Sequence, residues 1–391
     1  MPLSIPAVQA ALREEGLDGW LLYDFHGSNP IARRLAGLDN SAKTTRRWYY
    51  VIPASGEPQK LVHAIEPHNL DHVPGAKTIY SQRETLASGL KAVLAGLKRI
   101  AMEYSPGNNI PYISRVDAGT VEAVRQLGVD VASSGDLVQR FEAIWSDAAL
   151  ETHRAASERL YRIKDRAFAF VRDGRRAGRA LTELDVQRAM TAWFEDEDLI
   201  TDSPPVVAAQ ENAGDPHYGP SEKKHRAIGD SEVVLLDLWG KLSQPDAVYA
   251  DITWVGFTAE TVPDRYVEAF TAARDGRDAA VALVRDSVAK GRVLRGFEVD
   301  RACRAVVEKA GFGPQFVHRT GHSLGTEVHG NGVHMDDFET HDERRLIPGT
   351  GFTIEPGVYS AAFGVRTEIN MFVGEREGRV TGALQQDFVL L

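Results

Sequence analysis

Two aspartates stand where aspartates are costly. Asp237 lies inside VVLLDLW and Asp251 inside VYADITW, both apolar runs of strand character. Between them Ser243, Gln244, Pro245 and Asp246 mark a loop, so the pair reads as a hairpin with a carboxylate on each arm. Both carboxylates can project to one side of the paired strands. An unpaired carboxylate is expensive to bury, and neither residue has a neighbouring Lys or Arg suited to pair with it. Either the two are hydrogen-bonded anchors of the turn, or the fold brings a cation to them.

Other polar residues in the second half of the chain point to the cation. HRTGHSLGTEVH (318–329) holds three of the twelve histidines, His318, His322 and His329, bracketed by Gly321, Gly325 and Gly330. Histidine is the commonest metal ligand and proton shuttle near neutral pH. Downstream, FTIEPGVY (352–359) and GVRTEINMFV (364–373) read as strands. Glu355 is followed by Pro356 and Gly357, which place it at a strand end beside a turn. In the second strand the period of two puts Arg366, Glu368 and Asn370 on one face, and Val365, Thr367 and Ile369 on the other. Asp237, Asp251, His322, Glu355 and Glu368 then form a set of four carboxylates and one imidazole. Two carboxylates about 4 Å apart repel by roughly 4 kcal/mol at an effective dielectric near 20. Four of them clustered alone would keep some protonated, whereas two divalent cations neutralise all four.

The rest of the chain sets the frame. Its 391 residues make two domains the natural expectation, and 43% apolar with 26% charged residues is ordinary globular composition. Residues 1–147 alternate strands with helices: a helix at 6–15, strands at 18–24, 47–53, 58–64 and 77–80, a helix at 84–98 and a strand at 99–105. That pattern predicts an α/β layer structure. His63, His68 and His72 lie there without accompanying carboxylates and read as ordinary surface or core residues. Residues 148–391 open with a long helical run and a second helix capped by Thr182. Two further helices, at 262–288 and 297–312, lie among strands and loops, which predicts an α+β domain. A net charge of −10, from 55 acidic and 45 basic residues, argues against nucleic acid or an anionic membrane as partner. No stretch approaches 18 apolar residues and no signal peptide is evident. The lone cysteine, Cys303, fits a reducing cytoplasm and reads as a core residue.

The order Asp, Asp, GHxxG, VH, TIEPGVY, GxRxE resembles the pita-bread (M24-type) metallopeptidases, and the likeness covers residues from about 150 to the end. The first half resembles the creatinase-like N-terminal domain of the family's Xaa-Pro members. The resemblance implies two divalent ions, with Mn²⁺ or Co²⁺ suited to the oxygen-rich shell and Zn²⁺ an alternative. Asp237 would hold one ion and His322 the other. Asp251 and Glu368 would bridge, and Glu355 would ligate and take a proton from the nucleophile. His329 would touch the scissile amide, and His217, in DPHYGPSE, would contact substrate or stabilise the oxyanion. His318 and Arg366 match positions near the active site; for Arg366 an ion pair with a ligand carboxylate is as good a reading as substrate contact. The implied activity is hydrolysis of the bond before proline, in Xaa-Pro dipeptides first. Longer Xaa-Pro peptides, a creatinase-like C–N hydrolysis and a non-catalytic binding module are the alternatives. A cytoplasmic homodimer acting on small peptides is the implied setting. Two departures stand out. Asp237 and Asp251 are fourteen positions apart, wider than the family's usual spacing. Val333 and His334 occupy the region where some prolidases carry a carboxylate-binding arginine, leaving His334 or Arg366 to hold the substrate's terminus.

Overall fold

A computed structural model describes residues 3–38 and 44–391. Met1–Glu142 and Ala143–Leu391 form two compact units. The second begins shortly before the helix Asp147–Arg176, at whose start the sequence reading put the divide.

The first unit is built on six strands: β1 (Gly19–Asp24), β2 (Trp48–Pro53), β3 (Gln59–His63), β4 (Ala76–Tyr80), β5 (Arg99–Met102) and β6 (Asp130–Ser133). Their order is β4-β3-β2-β1-β5-β6. Strand β2 runs antiparallel to both neighbours, and β1–β5, β5–β6 and β3–β4 pair in parallel. The hairpin expected at 47–64 is therefore present, turning through Gly56 at a φ of 91° that favours glycine. After β1, HGSNP leads into a short helix, Pro30–Leu35. Asn29 caps it by accepting the Ala32 N–H at 3.0 Å, and Pro30 supplies the first helical φ. The helices Ile5–Glu14, Arg83–Val93, Ala118–Gln126 and Gly135–Glu142 complete the unit. Glu103, wholly buried there, accepts Trp20 Nε1–H at 2.7 Å, Asn29 Nδ2–H at 2.8 Å and the Ser134 hydroxyl at 3.1 Å. His63, His68 and His72 bond locally, to the Ile65 N–H, to Asp71 and to the Ala36 carbonyl.

In the second unit the period of two explains the layering. Strands β7 (Leu199–Ile200), β8 (Val206–Ala209), β9 (Val233–Leu242) and β10 (Ala250–Phe257) share a sheet centred on the β9–β10 hairpin. Val234, Leu236, Leu238, Ala250 and Ile252 face the helix Asp147–Arg176, packing on Ala156, Leu160, Ile163, Ala167 and Val171. Val233, Leu235, Val255 and Phe257 face the other way, into the core made with the helices Asp264–Ala289 and Gly296–Lys309. Asp237 and Asp251 share the parity of this second face, so the hairpin turns both carboxylates away from the long helix. Cys303, wholly buried, packs in that core with Val299 and Val307; burial pushes its thiol up to about 12.

Two further sheets lie over this face: β11 (Ser323–Leu324) and β12 (Gly351–Ile354) belong to one, β13 (Gly357–Tyr359) and β14 (Gly364–Arg366) make a separate two-stranded ribbon, and β15 (Ile369–Val373) pairs with β12 in the first. The single strands expected at 352–359 and 364–373 are thus each broken. Both breaks fall at a carboxylate. Pro356 ends one ladder after Glu355, and the Glu368 N–H leaves the sheet to donate to the Thr253 carbonyl at 3.1 Å. Among the described residues no helix is long and apolar enough to cross a membrane.

Candidate metal centre

Antiparallel register fixes the first part of the site. Thr253 stands opposite Asp237, and Asp251 opposite Trp239. All four side chains project from one face of the hairpin. Strand β15 reaches across to hold it: Asn370 Oδ1 accepts the Asp251 N–H at 3.0 Å, and Asn370 Nδ2–H donates to the Asp251 carbonyl. The clamp sets the Asp251 backbone while leaving its carboxylate uncommitted. Asp251 Oδ1 is buried with no hydrogen-bond partner among the described residues.

The strand ends deliver the rest. Glu355 is anchored by its N–H on the Thr320 carbonyl at 2.7 Å, and Glu368 accepts the Thr253 hydroxyl at 2.7 Å. The His322 N–H donates to Thr353 Oγ1 at 3.0 Å, which seats the residue on β12. Its Nδ1 sits 3.2 Å from the Ser323 carbonyl. That contact assigns the proton to Nδ1 and leaves the Nε2 lone pair free. Nε2 lies 3.5 Å from Asp251 Oδ2 and 3.5 Å from Glu355 Oε1. One ligand atom from each of Asp251, His322 and Glu368 falls within 4.8 Å of the others.

Asp237, Asp251, His322, Glu355 and Glu368 all line one cavity of about 570 Å³. Its electrostatics are those of a site short of positive charge. Burial, and then repulsion from Glu355, raises the Asp251 carboxyl well above the carboxylate range. Glu368 rises likewise, from burial and then from Asp251, Glu355 and Asp237. Asp237 is pushed up to about 6 by burial, against the pull of Arg366. Burial depresses His322 to about 4. A neutral imidazole and several carboxylates that ionise only when counter-charge arrives are a donor set for divalent cations. The orphaned Asp251 oxygen points to the same conclusion.

The remaining expected residues divide into three groups. His329 lines the cavity with its ring 4.3 Å from that of His322 and nearly perpendicular to it. His322 and burial together lower His329 to about 3. His217 is exposed and also lines the cavity; its N–H donates to Asp215. His318 is a wall residue, with Nδ1 2.7 Å from the Arg319 carbonyl and Nε2 2.8 Å from the Tyr359 hydroxyl. Arg366 spends all three nitrogens on the protein: Nη2 on Asp237, Nε on Thr253 Oγ1 at 2.9 Å and Nη1 on the Tyr359 hydroxyl at 3.2 Å. The ion-pair alternative considered for it is the contact seen. His334 does not join the cavity, contrary to expectation. It is buried behind β11, where Nδ1 accepts the Ser323 N–H at 3.0 Å. The bridge between Gly321 and Met335 folds its segment under the ligand loop, so its ring supports backbone and does not face substrate.

Thr253, Tyr359 and Trp239 belong to the site and were not singled out from sequence. Thr253 and Trp239 each lie two residues from an aspartate on the same strand, and that period was the available signal.

Fold and site together present a buried, carboxylate-rich donor set suited to divalent cations. The family model described as Metallopeptidase family M24 matches residues 151–375, and the chain belongs to that family. Its architecture is the pita-bread arrangement preceded by a creatinase-like α/β domain. The probable dipeptidase PepE of Mycobacterium tuberculosis is 27% identical over 251 residues, 64% of this chain and 61% of that protein. The chain thus spans about three fifths of the length of that curated relative. The Xaa-Pro dipeptidase of Lactobacillus delbrueckii subsp. lactis is 33% identical over 164 residues, 42% of this chain and 40% of that one. Among solved structures, dipeptidase PepE from Mycobacterium ulcerans superposes with a TM-score of 0.68 at 23% identity, covering 99% of this chain and 96% of that one. A recombinant prolidase from Thermococcus sibiricus superposes with a TM-score of 0.63 at 20% identity, covering 99% and 98%.

Proposed function

We propose that this chain hydrolyses the peptide bond preceding proline, with Xaa-Pro dipeptides as the first substrate class. Two divalent cations, Mn²⁺ foremost, would be held by Asp237, Asp251, His322, Glu355 and Glu368. The observation that carries the reading is the convergence of these five side chains on one cavity whose carboxylates need counter-charge. The Xaa-Pro dipeptidases among the relatives support the preference for proline. The ions, when bound, supply a nucleophile at neutral pH and polarise the scissile carbonyl.

The chain's own residues do the rest. Glu355 Oε1, at the strand end beside His322, takes the proton released as the nucleophile attacks. His329, uncharged near neutral pH, donates a hydrogen bond to the developing oxyanion or to the amide. His217, exposed on the cavity lining, contacts the substrate or stabilises the oxyanion. Arg366 is a positioning residue. It keeps Asp237 ionised and pins Thr253, whose hydroxyl in turn aligns Asp237 and Glu368. Reading the chain as the expected homodimer is part of the same proposal.

Glu355→Ala should abolish metal-dependent cleavage of a Xaa-Pro dipeptide, followed by release of free proline. Full activity in that variant would sink the assignment. A dipeptide and a tripeptide sharing their first two residues, assayed side by side, decide between dipeptidase and aminopeptidase action.

A further inference from the structure

We propose that Asp202 selects a basic side chain in the residue before the scissile bond; this rests on the peptidase reading above. Asp202 is exposed, lines the catalytic cavity, and belongs to neither the ligand set nor its supports. It is nonetheless fixed. The Trp239 indole N–H donates to Asp202 Oδ1 at 2.6 Å. Trp239 pairs with Asp251 across the hairpin and lines the same cavity, so its indole N–H holds Asp202 on the cavity wall. The other oxygen, Oδ2, has no hydrogen-bond partner, and no Lys or Arg lies within ion-pair distance among the described residues.

This charge has no evident structural use. The ligand carboxylates are matched by the cations they would bind, and Asp237 also by Arg366. Asp202 remains an anchored anion without a counter-ion, on a cavity wall where substrate must pass.

Geometry distinguishes two cationic groups that a peptide could offer. The α-ammonium is two bonds from the scissile carbonyl carbon, so it lies beside the metal ligands during reaction. The Asp202 carboxylate, held at the edge of the Trp239 indole, is near enough for its charge to act on Asp251 and His329. The α-ammonium meets the metal-site carboxylates before it can reach Asp202. A lysine stem of four carbons reaches it, and its methylenes would lie along the Trp239 ring with the charge at Asp202. An arginine would stack on the same ring.

The test is steady-state hydrolysis of Lys-Pro, Leu-Pro and Glu-Pro by the metal-loaded full chain and by Asp202→Asn and Asp202→Lys. The unsubstituted enzyme should favour Lys-Pro over Leu-Pro by about fivefold in kcat/KM, the scale of a partly exposed ion pair. The preference should reside in KM and shrink as ionic strength rises. Asp202→Asn should erase it without loss of Leu-Pro turnover, and Asp202→Lys should favour Glu-Pro. Equal rates on Lys-Pro and Leu-Pro, or a ratio unchanged in Asp202→Asn, overturns the inference and leaves the peptidase reading intact. Cleavage of none of the three by the unsubstituted enzyme overturns both.

Discussion

Arg366 shows how one side chain is committed by its surroundings. Its three nitrogens reach Asp237, Thr253 and Tyr359, and nothing in GVRTEINMFV announces those partners. Replacing groups that orient ligands typically costs 10–100-fold in metal affinity. Arg366→Gln should therefore weaken binding of the first Mn²⁺ by at least about tenfold, read by calorimetric titration of stripped protein. An unchanged constant would return Arg366 to a substrate-binding role. The cavity's carboxylates were legible as candidate ligands, because a carboxylate inside an apolar run or beside a Pro-Gly stop is anomalous on its own. Thr253 and Tyr359 were not, since a hydroxyl in a strand is unremarkable until its partner from another strand is known. His334 misled for the converse reason: it follows Val333, in the region where some prolidases carry a carboxylate-binding arginine, whereas the chain buries it against the Ser323 backbone. Glu103, in the first unit, is a separate case. Burial pushes its carboxyl up to about 7, although three donors oppose the shift. The folded state thus holds a proton that the unfolded chain releases near pH 4.5. Stability from this group is present below that pH and is lost as pH rises towards 7, by on the order of 3 kcal/mol. Thermal unfolding from pH 4.5 to 8 should show that decline in the natural protein and a flatter profile in Glu103→Gln. Equal slopes would show that Glu103 is ionised throughout.

At the scale of elements, the helix Glu183–Asp196 was legible from its cap. Thr182 accepts the Asp185 N–H at 3.1 Å, and the Asp185 carboxylate accepts the Thr182 N–H at 2.9 Å. What the helix start does beyond capping was hidden. Glu183, fully buried, accepts the Ala209 N–H at 2.6 Å, the Tyr218 hydroxyl at 2.5 Å and the Arg226 N–H at 2.9 Å, and also holds Asn212. One carboxylate therefore ties β8 and the segment around His217 to the first turn of a helix. Glu183→Ala would strand several buried donors, at roughly 1–3 kcal/mol each before relaxation. A drop of several degrees in Tm and a rise in KM are expected, with His217 loosened; unchanged KM would separate that segment from substrate binding. The broken strands at Glu355 and Glu368 belong here too. Apolar content predicted continuous strands, but each carboxylate has to leave its ladder to meet the hairpin, and that competition is set by tertiary contacts.

For the molecule as a whole, the two-part organisation followed from the change of texture along the chain, and the proposed ions would make the second unit's stability conditional on their presence. A cation present at a hundred times its dissociation constant stabilises the folded form by about 2.7 kcal/mol. Chelation should lower the unfolding temperature assigned to the second unit and leave that of the first in place, as scanning calorimetry would register; a shift in both would mean that they unfold as one. The core beneath the centre offers a way to watch this. Cys303 is the sole thiol of the chain, wholly enclosed between helices, and its nearest approach to Gly276 leaves no room for a methyl group. No thiol reagent reaches it in the closed form, and none has a competing target. The protein therefore carries a native chemical clock: the rate at which one sulfur becomes labelled measures how often the metal-bearing unit opens, with or without its ions, and without any engineered probe.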